Sequence, residues 1–262
     1  MKLFADLLRD KSVDAVDIDG AGRIENHRAI LARKKMLRDV FIDFHLLFDE
    51  LDRNFLSGNG LRLELGAGVA PMRDTYPDVL ATDVVPSEHL DRIINAEAMD
   101  VDDGSVRTVI GQNCFHHFPH PDKFFQELLR VLVPGGGAIL LEPYYGPVAS
   151  LLYTRLFHTE GFDKRYPSWE TPVAGPMNGA NQALSYIVFK RDRAIFESKY
   201  PGLEIVLEKP VDNYLRYLLS GGLNFRQLCP DSAAAAVRLM EKALTPAHRW
   251  LALHHVIVLR KR

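Results

Sequence analysis

Leu61-Arg62-Leu63-Glu64-Leu65-Gly66-Ala67-Gly68-Val69-Ala70-Pro71 is the stretch whose reading decides the fold. A short apolar run over 61–65 reads as a strand. It leads into a Gly-x-Gly turn and then into a short helix expected over 70–76. Glycines let the backbone take positive φ and let a ligand approach the main chain closely. A helix start beyond the turn offers N–H groups without intrahelical partners. This combination binds a nucleotide-like cofactor at the carboxyl edge of a sheet.

The same residues discriminate between cofactors. The dinucleotide fingerprint needs a third glycine where this chain has Pro71, which lacks an N–H and carries a ring where helix and strand must pack closely. That disfavours NAD and FAD. No Gly-Lys-Ser/Thr follows, so the loop is not a phosphate-cradling P-loop. Glu64, two residues before Gly66, would repel a pyrophosphate and suits a ligand carrying an ammonium group. This points to S-adenosylmethionine, whose methionine end carries one.

Outward from the loop, strand-like runs fall at 79–82, 92–94, 106–112 and 138–142. A helix over 122–133 separates the last two. Pro121 suits its first turn, Phe124, Phe125, Leu128, Leu129 and Leu132 build its apolar face, and Pro134-Gly135-Gly136-Gly137 stops it. Alternating strands and helices argue for an α/β fold, a mostly parallel sheet with helices on both faces. Before the turn cluster Ser57-Gly58-Asn59-Gly60, residues 26–56 read as a long helix or helix pair. Residues 143–200 are rich in Pro and Gly with interspersed aromatics, as in a lid or binding loop. Regular structure returns with a strand over 203–207, helices around 214–219 and 232–244, and a last strand over 251–259.

Taken together, these stretches resemble the class I S-adenosylmethionine-dependent methyltransferases, and more closely their type 11 branch. Glu64-Leu65-Gly66-Ala67-Gly68 matches the acid-x-Gly-x-Gly first motif, with Ala70 at the usual third glycine. Val79-Leu80-Ala81-Thr82-Asp83 ends in the acid that the family uses to hold both ribose hydroxyls. Ile94-Asn95-Ala96-Glu97-Ala98-Met99 matches the adenine-pocket segment, with Asn95 where aspartate is usual. Gln112-Asn113-Cys114-Phe115-His116-His117-Phe118-Pro119 resembles the His-His stretch after the fourth strand. Leu128-Leu129-Arg130-Val131-Leu132-Val133-Pro134-Gly135-Gly136 resembles the segment before the fifth.

The resemblance covers about 61–142. It implies a Rossmann-like fold with a mostly parallel seven-stranded sheet, N-terminal helices and a lid insertion after the fifth strand. It implies donor contacts at Glu64, Gly66, Ala67, Gly68, Asp83, Val84, Asn95, Ala96, Glu97 and Asn113. Flanks such as Glu142-Pro143-Tyr144-Tyr145, Phe157-His158-Thr159-Glu160 and Leu218-Leu219-Ser220-Gly221-Gly222 resemble a bacterial type 11 group without an assigned substrate. One domain is expected, with a helical cap (1–57), a donor-binding core (61–142), a lid or acceptor insertion (143–200) and C-terminal elements completing the sheet (201–262).

Composition narrows the function. The chain has 262 residues, 47% apolar and 25% charged, with formal net charge −2. Those are the proportions of a soluble globular protein, and they give no global reason to expect nucleic acid. No Asn-Pro-Pro-Tyr tetrad occurs. Two cysteines, Cys114 and Cys229, form no paired motif; a reducing, cytoplasmic setting fits. No run approaches a membrane span, and the charged start lacks a secretory signal, reading instead as a short amphipathic helix. The expected activity is methyl transfer from S-adenosylmethionine to a small-molecule or glycan-type acceptor at oxygen. The alternatives are a donor-binding regulatory or partner subunit without turnover, and a nicotinamide oxidoreductase.

Candidate catalytic residues are His116, His117 and Tyr144. A strand-end imidazole of near-neutral pKa suits removal of a proton from an alcohol or amine, while a purely positional role explains the pair equally well. Tyr144, His158 and Glu160 are candidates to touch the acceptor. His254 and His255 lie in an alternating run, so one is expected to point inward and one outward. Arg33-Lys34-Lys35 reads as a solvated helix face. No metal is expected. His116 and His120 are four apart, but Pro119 and Pro121 oppose the helix that would put them on one face.

Overall fold

The computed structural model describes residues 8–13, 20–156, 160–173, 175, 179–212 and 214–262. Residues 1–7, expected to form an amphipathic helix, lie outside that set. The strands are β1 (Leu61–Leu65), β2 (Val79–Asp83), β3 (Arg92–Ile93), β4 (Val106–Gln112), β5 (Leu132–Pro143), β6 (Leu203–Pro210) and β7 (His254–Lys261). They form one seven-stranded sheet in the order β3-β2-β1-β4-β5-β7-β6. Only β7 runs against the rest, pairing antiparallel with both β5 and β6. The strand order reverses between β1 and β4. In open α/β sheets a ligand crevice forms outside the carboxyl ends of the strands at that switch.

The main helices are α1 (Ala21–Arg33), α2 (Lys35–Phe55), α3 (Pro121–Val131), α4 (Pro147–Arg155), α5 (Arg193–Lys199), α6 (Tyr214–Ser220) and α7 (Ala234–Ala243). Strand alternation feeds two cores. Val109, Ala138, Leu140, Ile257 and Leu259 pack on one face with Phe124, Phe125 and Leu128 of α3. Ile110, Ile139, Leu141, Val256 and Val258 pack on the other with Val40, Phe44, Phe48 and Leu51 of α2. Each such Val, Leu, Ile or Phe side chain contributes about 1.5–3 kcal/mol by burial. Helices thus cover both faces, as the sequence predicts.

Several local expectations are corrected. The helix expected over 70–76 is one 3-10 turn, Met72–Asp74. Pro71 is extended and Pro77 disfavours helical geometry in the residue before it, leaving no room for a longer helix. Of the two readings of 26–56, the helix pair is the one found, broken at Lys34 (φ −110°, ψ 87°). Lys34 is buried rather than solvated, and its Nζ donates to the Gly222 and Phe225 carbonyls. That clamps the α1–α2 corner to the turn after α6.

Helix α3 ends two residues earlier than expected, and β5 starts at Leu132 rather than Ala138. Its pairing with β4 jumps from Val106↔Leu132 to Thr108↔Gly137, a bulge that absorbs the Pro-Gly-Gly run. Gly137 is obligatory there, since a Cβ would sit 2.0 Å from the Leu259 carbonyl oxygen. Strand β6 extends to Pro210, and β7 starts at His254 after a short helical turn, His248–Leu251. The expected 232–244 helix splits into a 3-10 turn, Asp231–Ala233, and α7.

The insertion 143–200 is not all lid. Phe189, Phe196 and Tyr200 pack into the core beside α3. His254 and His255 are both buried. Strand β7 is internal and covered on both faces, so alternation there does not reach solvent. No helix among the described residues is long and apolar enough to cross a membrane.

Candidate active site

A cavity of about 530 Å³ opens at the switch between β1 and β4, within the size range of small-molecule sites. Its first wall is the glycine loop. Gly66 takes φ +66°, and a Cβ there would lie 2.9 Å from Cys114 Cβ. Gly68 takes φ +30°, close under Asp83 Oδ2. The Ala67 N–H donates to the Thr82 carbonyl (2.9 Å), tying the loop to β2.

Glu64 is buried, and its Oε2 accepts the Met72 N–H at 2.7 Å. Burial pushes its carboxyl up to about 8. The group is therefore costly to ionise without a nearby cation. Asp83, at the end of β2, accepts the Val85 N–H through Oδ1 (3.0 Å). Asn113 sits just beyond β4 at φ +51°, a left-handed conformation that asparagine tolerates. Asn113 Oδ1 and Gln112 Oε1 are buried acceptors with no donor among the described residues, and both residues line the cavity.

Val84, Asn95, Ala96 and Glu97 line it too. Asn95 Oδ1 accepts the Glu97 N–H (2.9 Å), so this side chain shapes its own turn. Glu97 Oε1 accepts the His120 N–H (2.6 Å). All ten residues expected at the donor thus border one cavity.

At the far end, residues after β4 and β5 meet. Glu142 is fully buried near the end of β5. Its Oε1 accepts the Cys114 and Phe115 N–H groups (3.1 and 2.9 Å), and its Oε2 lies 2.6 Å from His116 Nδ1. Glu142 therefore pins the 3-10 turn Phe115–His117 and orients the His116 ring. His116 Nε2 faces Glu160 Oε2 at 3.3 Å, and His117 Nε2 lies 4.0 Å from the same oxygen.

The two imidazoles differ sharply. Burial alone would depress His116, but Glu142, with Glu160 opposite, outweighs it and lifts the ring to about 10. Burial and the neighbouring His116 push His117 down to about 3. Burial would raise Glu160, yet the adjacent histidines hold it below the usual carboxylate range.

Tyr144 does not reach the cavity. It packs on Tyr145 and His255, ring centroids 4.7 and 5.6 Å away. Pro143, one residue earlier, lines the cavity, and strand alternation turns the next side chain away. Tyr153 and Tyr217 line it instead. His120 is also outside it, with Nδ1 3.6 Å from Glu170 Oε1. His158 lies outside the described residues. Sequence reasoning missed Glu142 as a site residue, although a carboxylate at the end of β5 facing a His-His turn was its signal. It also missed Arg23, Asn26 and His27 of α1, which close one side of the cavity. Nothing in their local pattern marks them.

Residues 64–140 match the type 11 family model described as a methyltransferase domain. No curated protein matches the chain. Among solved structures, it resembles a chain from the complex of the Haloferax volcanii Trm112 methyltransferase activator with its methyltransferase. Identity is 14%, coverage 90% of this chain and 96% of that one, and the TM-score 0.50. It also resembles geranyl diphosphate C-methyltransferase from Streptomyces coelicolor A3(2). There identity is 13%, coverage 90% and 82%, and the TM-score 0.50. Residues 64–140 thus carry a methyltransferase domain, and the chain shares its fold with these solved structures. The unpaired acceptors of Gln112 and Asn113, the buried Glu64 carboxyl and the glycine cradle fit a donor with an ammonium group and a ribose.

Proposed function

We propose, from that domain match and the cavity beside it, that this chain is an S-adenosylmethionine-dependent methyltransferase and methylates a hydroxyl of a small-molecule or glycan-type acceptor held in the cavity that also takes the donor. S-adenosylmethionine, when bound, supplies a methyl group already activated on a sulfonium. The chain's own residues bind, align and exclude water. Glu64, Gln112 and Asn113 receive the ammonium end, Asp83 accepts from the ribose hydroxyls, and Asn95, Ala96 and Glu97 border the base.

The observation that carries the reading is the continuity of one cavity from the glycine loop to His116, His117 and Glu160. An acceptor at that end meets an imidazole and a carboxylate able to hold its hydroxyl in place by hydrogen bonds. Holding the two reactants in line contributes up to about 7–11 kcal/mol. The helices α1 and α4, with Leu156 and Glu160, form the cover over a single domain whose 61–142 core carries the donor. The free thiols of Cys114 and Cys229 support a reducing, cytoplasmic location.

The test is formation of S-adenosylhomocysteine with a panel of hydroxylated small molecules and sugars, followed by locating the methyl group by NMR. O-methyl products formed by the parent and lost in Asp83→Asn support the reading. Products methylated only at nitrogen or carbon overturn the oxygen assignment. Donor binding without turnover across the panel overturns the small-molecule class.

A further inference from the structure

We propose that His116, His117 and Glu160 bind a divalent transition-metal cation at the acceptor end of the cavity, with Glu142 orienting His116. One ligand atom from each of the three lies within 4.8 Å of the others. Around a tetrahedral ion, ligands at about 2.0–2.2 Å stand roughly 3.3–3.6 Å apart. His116 Nε2 is already 3.3 Å and His117 Nε2 4.0 Å from Glu160 Oε2. The third pair, His116 and His117, lies within 4.8 Å, so side-chain movements of about an ångström close the set. The two imidazoles come from adjacent residues, a spacing without a helical ligand pattern. The turn Phe115–His117 nevertheless brings their rings together, centroids 4.3 Å apart.

Three further observations point to a cation. Glu142 is held by two backbone N–H groups and lies 2.6 Å from His116 Nδ1, leaving Nε2 to ligate. A carboxylate behind a ligating histidine is the usual orienting partner in metal sites. His116, His117 and Glu160 all line the cavity, so an ion can reach them. The carboxylates of Glu142 and Glu160 face the two ring nitrogens of His116 in a buried pocket, an anionic setting for a cation. A second cluster, Glu25, Glu88 and His89, is largely exposed and has none of this support. Two imidazoles and one carboxylate suit zinc, cobalt, iron or manganese better than calcium.

Three protein ligands leave a position open toward the cavity. On the proposed function, the acceptor oxygen takes that position. Its proton leaves to solvent, its lone pair forms the O–CH₃ bond, and the S–CH₃ bonding pair returns to sulfur. The role thus rests on the methyl-transfer reading, while the site itself does not.

The experiment uses the untagged full chain, stripped with chelator and titrated with Co²⁺ and then Zn²⁺, alongside a separate titration with S-adenosylhomocysteine. One Co²⁺ per chain, with visible absorption lost on adding Zn²⁺, is expected. His117→Ala and Glu160→Gln each weaken Co²⁺ binding at least 10-fold, and Glu142→Gln weakens it about 10–100-fold. His120→Ala and His248→Ala bind as the parent does. In the unmutated chain, Zn²⁺ shifts the imidazole NMR resonances of His116 and His117 alone, a readout that needs no variant to fold. Absence of stoichiometric Co²⁺ binding, shifts at other histidines only, or parent-like binding by both His117→Ala and Glu160→Gln overturns the site. Failure of S-adenosylhomocysteine to bind counts against the proposed function and leaves the metal result standing on its own.

Discussion

Asp83→Asn isolates one charge in the donor cradle. Asp83 is buried at the end of β2. Its Oδ1 already accepts the Val85 N–H, and its Oδ2 faces the glycine loop at Gly68. Asparagine can keep the Oδ1 contact while losing the ionised acceptor that would hold a ribose hydroxyl. A hydrogen bond to a charged group contributes about 1.5–3 kcal/mol. The dissociation constant for S-adenosylhomocysteine should therefore rise about 10- to 150-fold. Because the local turn survives, the thermal midpoint should move by only about 2–4 °C. Asp83→Ala should match the affinity loss and add a stability loss from the broken turn, about 0.5–1.5 kcal/mol. Calorimetric titration paired with thermal melts measures both. An unchanged dissociation constant in a folded Asp83→Asn protein would refute the assignment.

Two further outcomes follow from the geometry. Glu64 is raised to about 8 by burial, so the folded state holds a proton that the unfolded chain releases near 4.5. Stability without donor should fall as pH rises from about 5 to 8, and donor binding near pH 7 should release a proton as Glu64 ionises against the ammonium. Titrations in buffers of different ionisation enthalpy read that proton; Glu64→Gln should abolish the release, and buffer-independent heats in the parent would reject it. Gly137→Ala places a Cβ 2.0 Å from the Leu259 carbonyl oxygen and should cost about 3 kcal/mol or more, lowering the thermal midpoint by about 6–12 °C. An unmoved midpoint would mean that β5 and β7 separate freely there.

The central sheet was legible because its signals are local. The run 61–65, the Gly-x-Gly turn and Asp83 each combine a strand with a turn chemistry that few other structures use. The strand β4 matched its expected bounds for the same reason. Where a glycine run has two uses, reading failed. Pro134-Gly135-Gly136 looks like a helix stop, yet it is a bulge inside β5, specified by pairing with a distant strand. Proline on both sides shortened the 70–76 helix to one turn, a cost that apolar spacing does not register. Buriedness was the other blind spot. His254, His255 and Lys34 are covered by elements remote in sequence, so alternation wrongly turned one of the two histidines outward and polar character wrongly placed Lys34 in solvent. The glycine-loop wall of the cavity could be read because it lies within one continuous segment. The far end of the cavity is assembled from the turn after β4, the end of β5, Glu160 and α1, and only the folded chain brings Glu142 against His116.

Calorimetric titration of the purified chain with S-adenosylhomocysteine, with NAD as a control in the same buffer, tests the central claim most directly. Micromolar binding of the first, one per chain, and none of the second is the predicted result. Binding of NAD, or of neither by folded and ligand-free protein, would contradict the assignment of this cavity to the methyl donor.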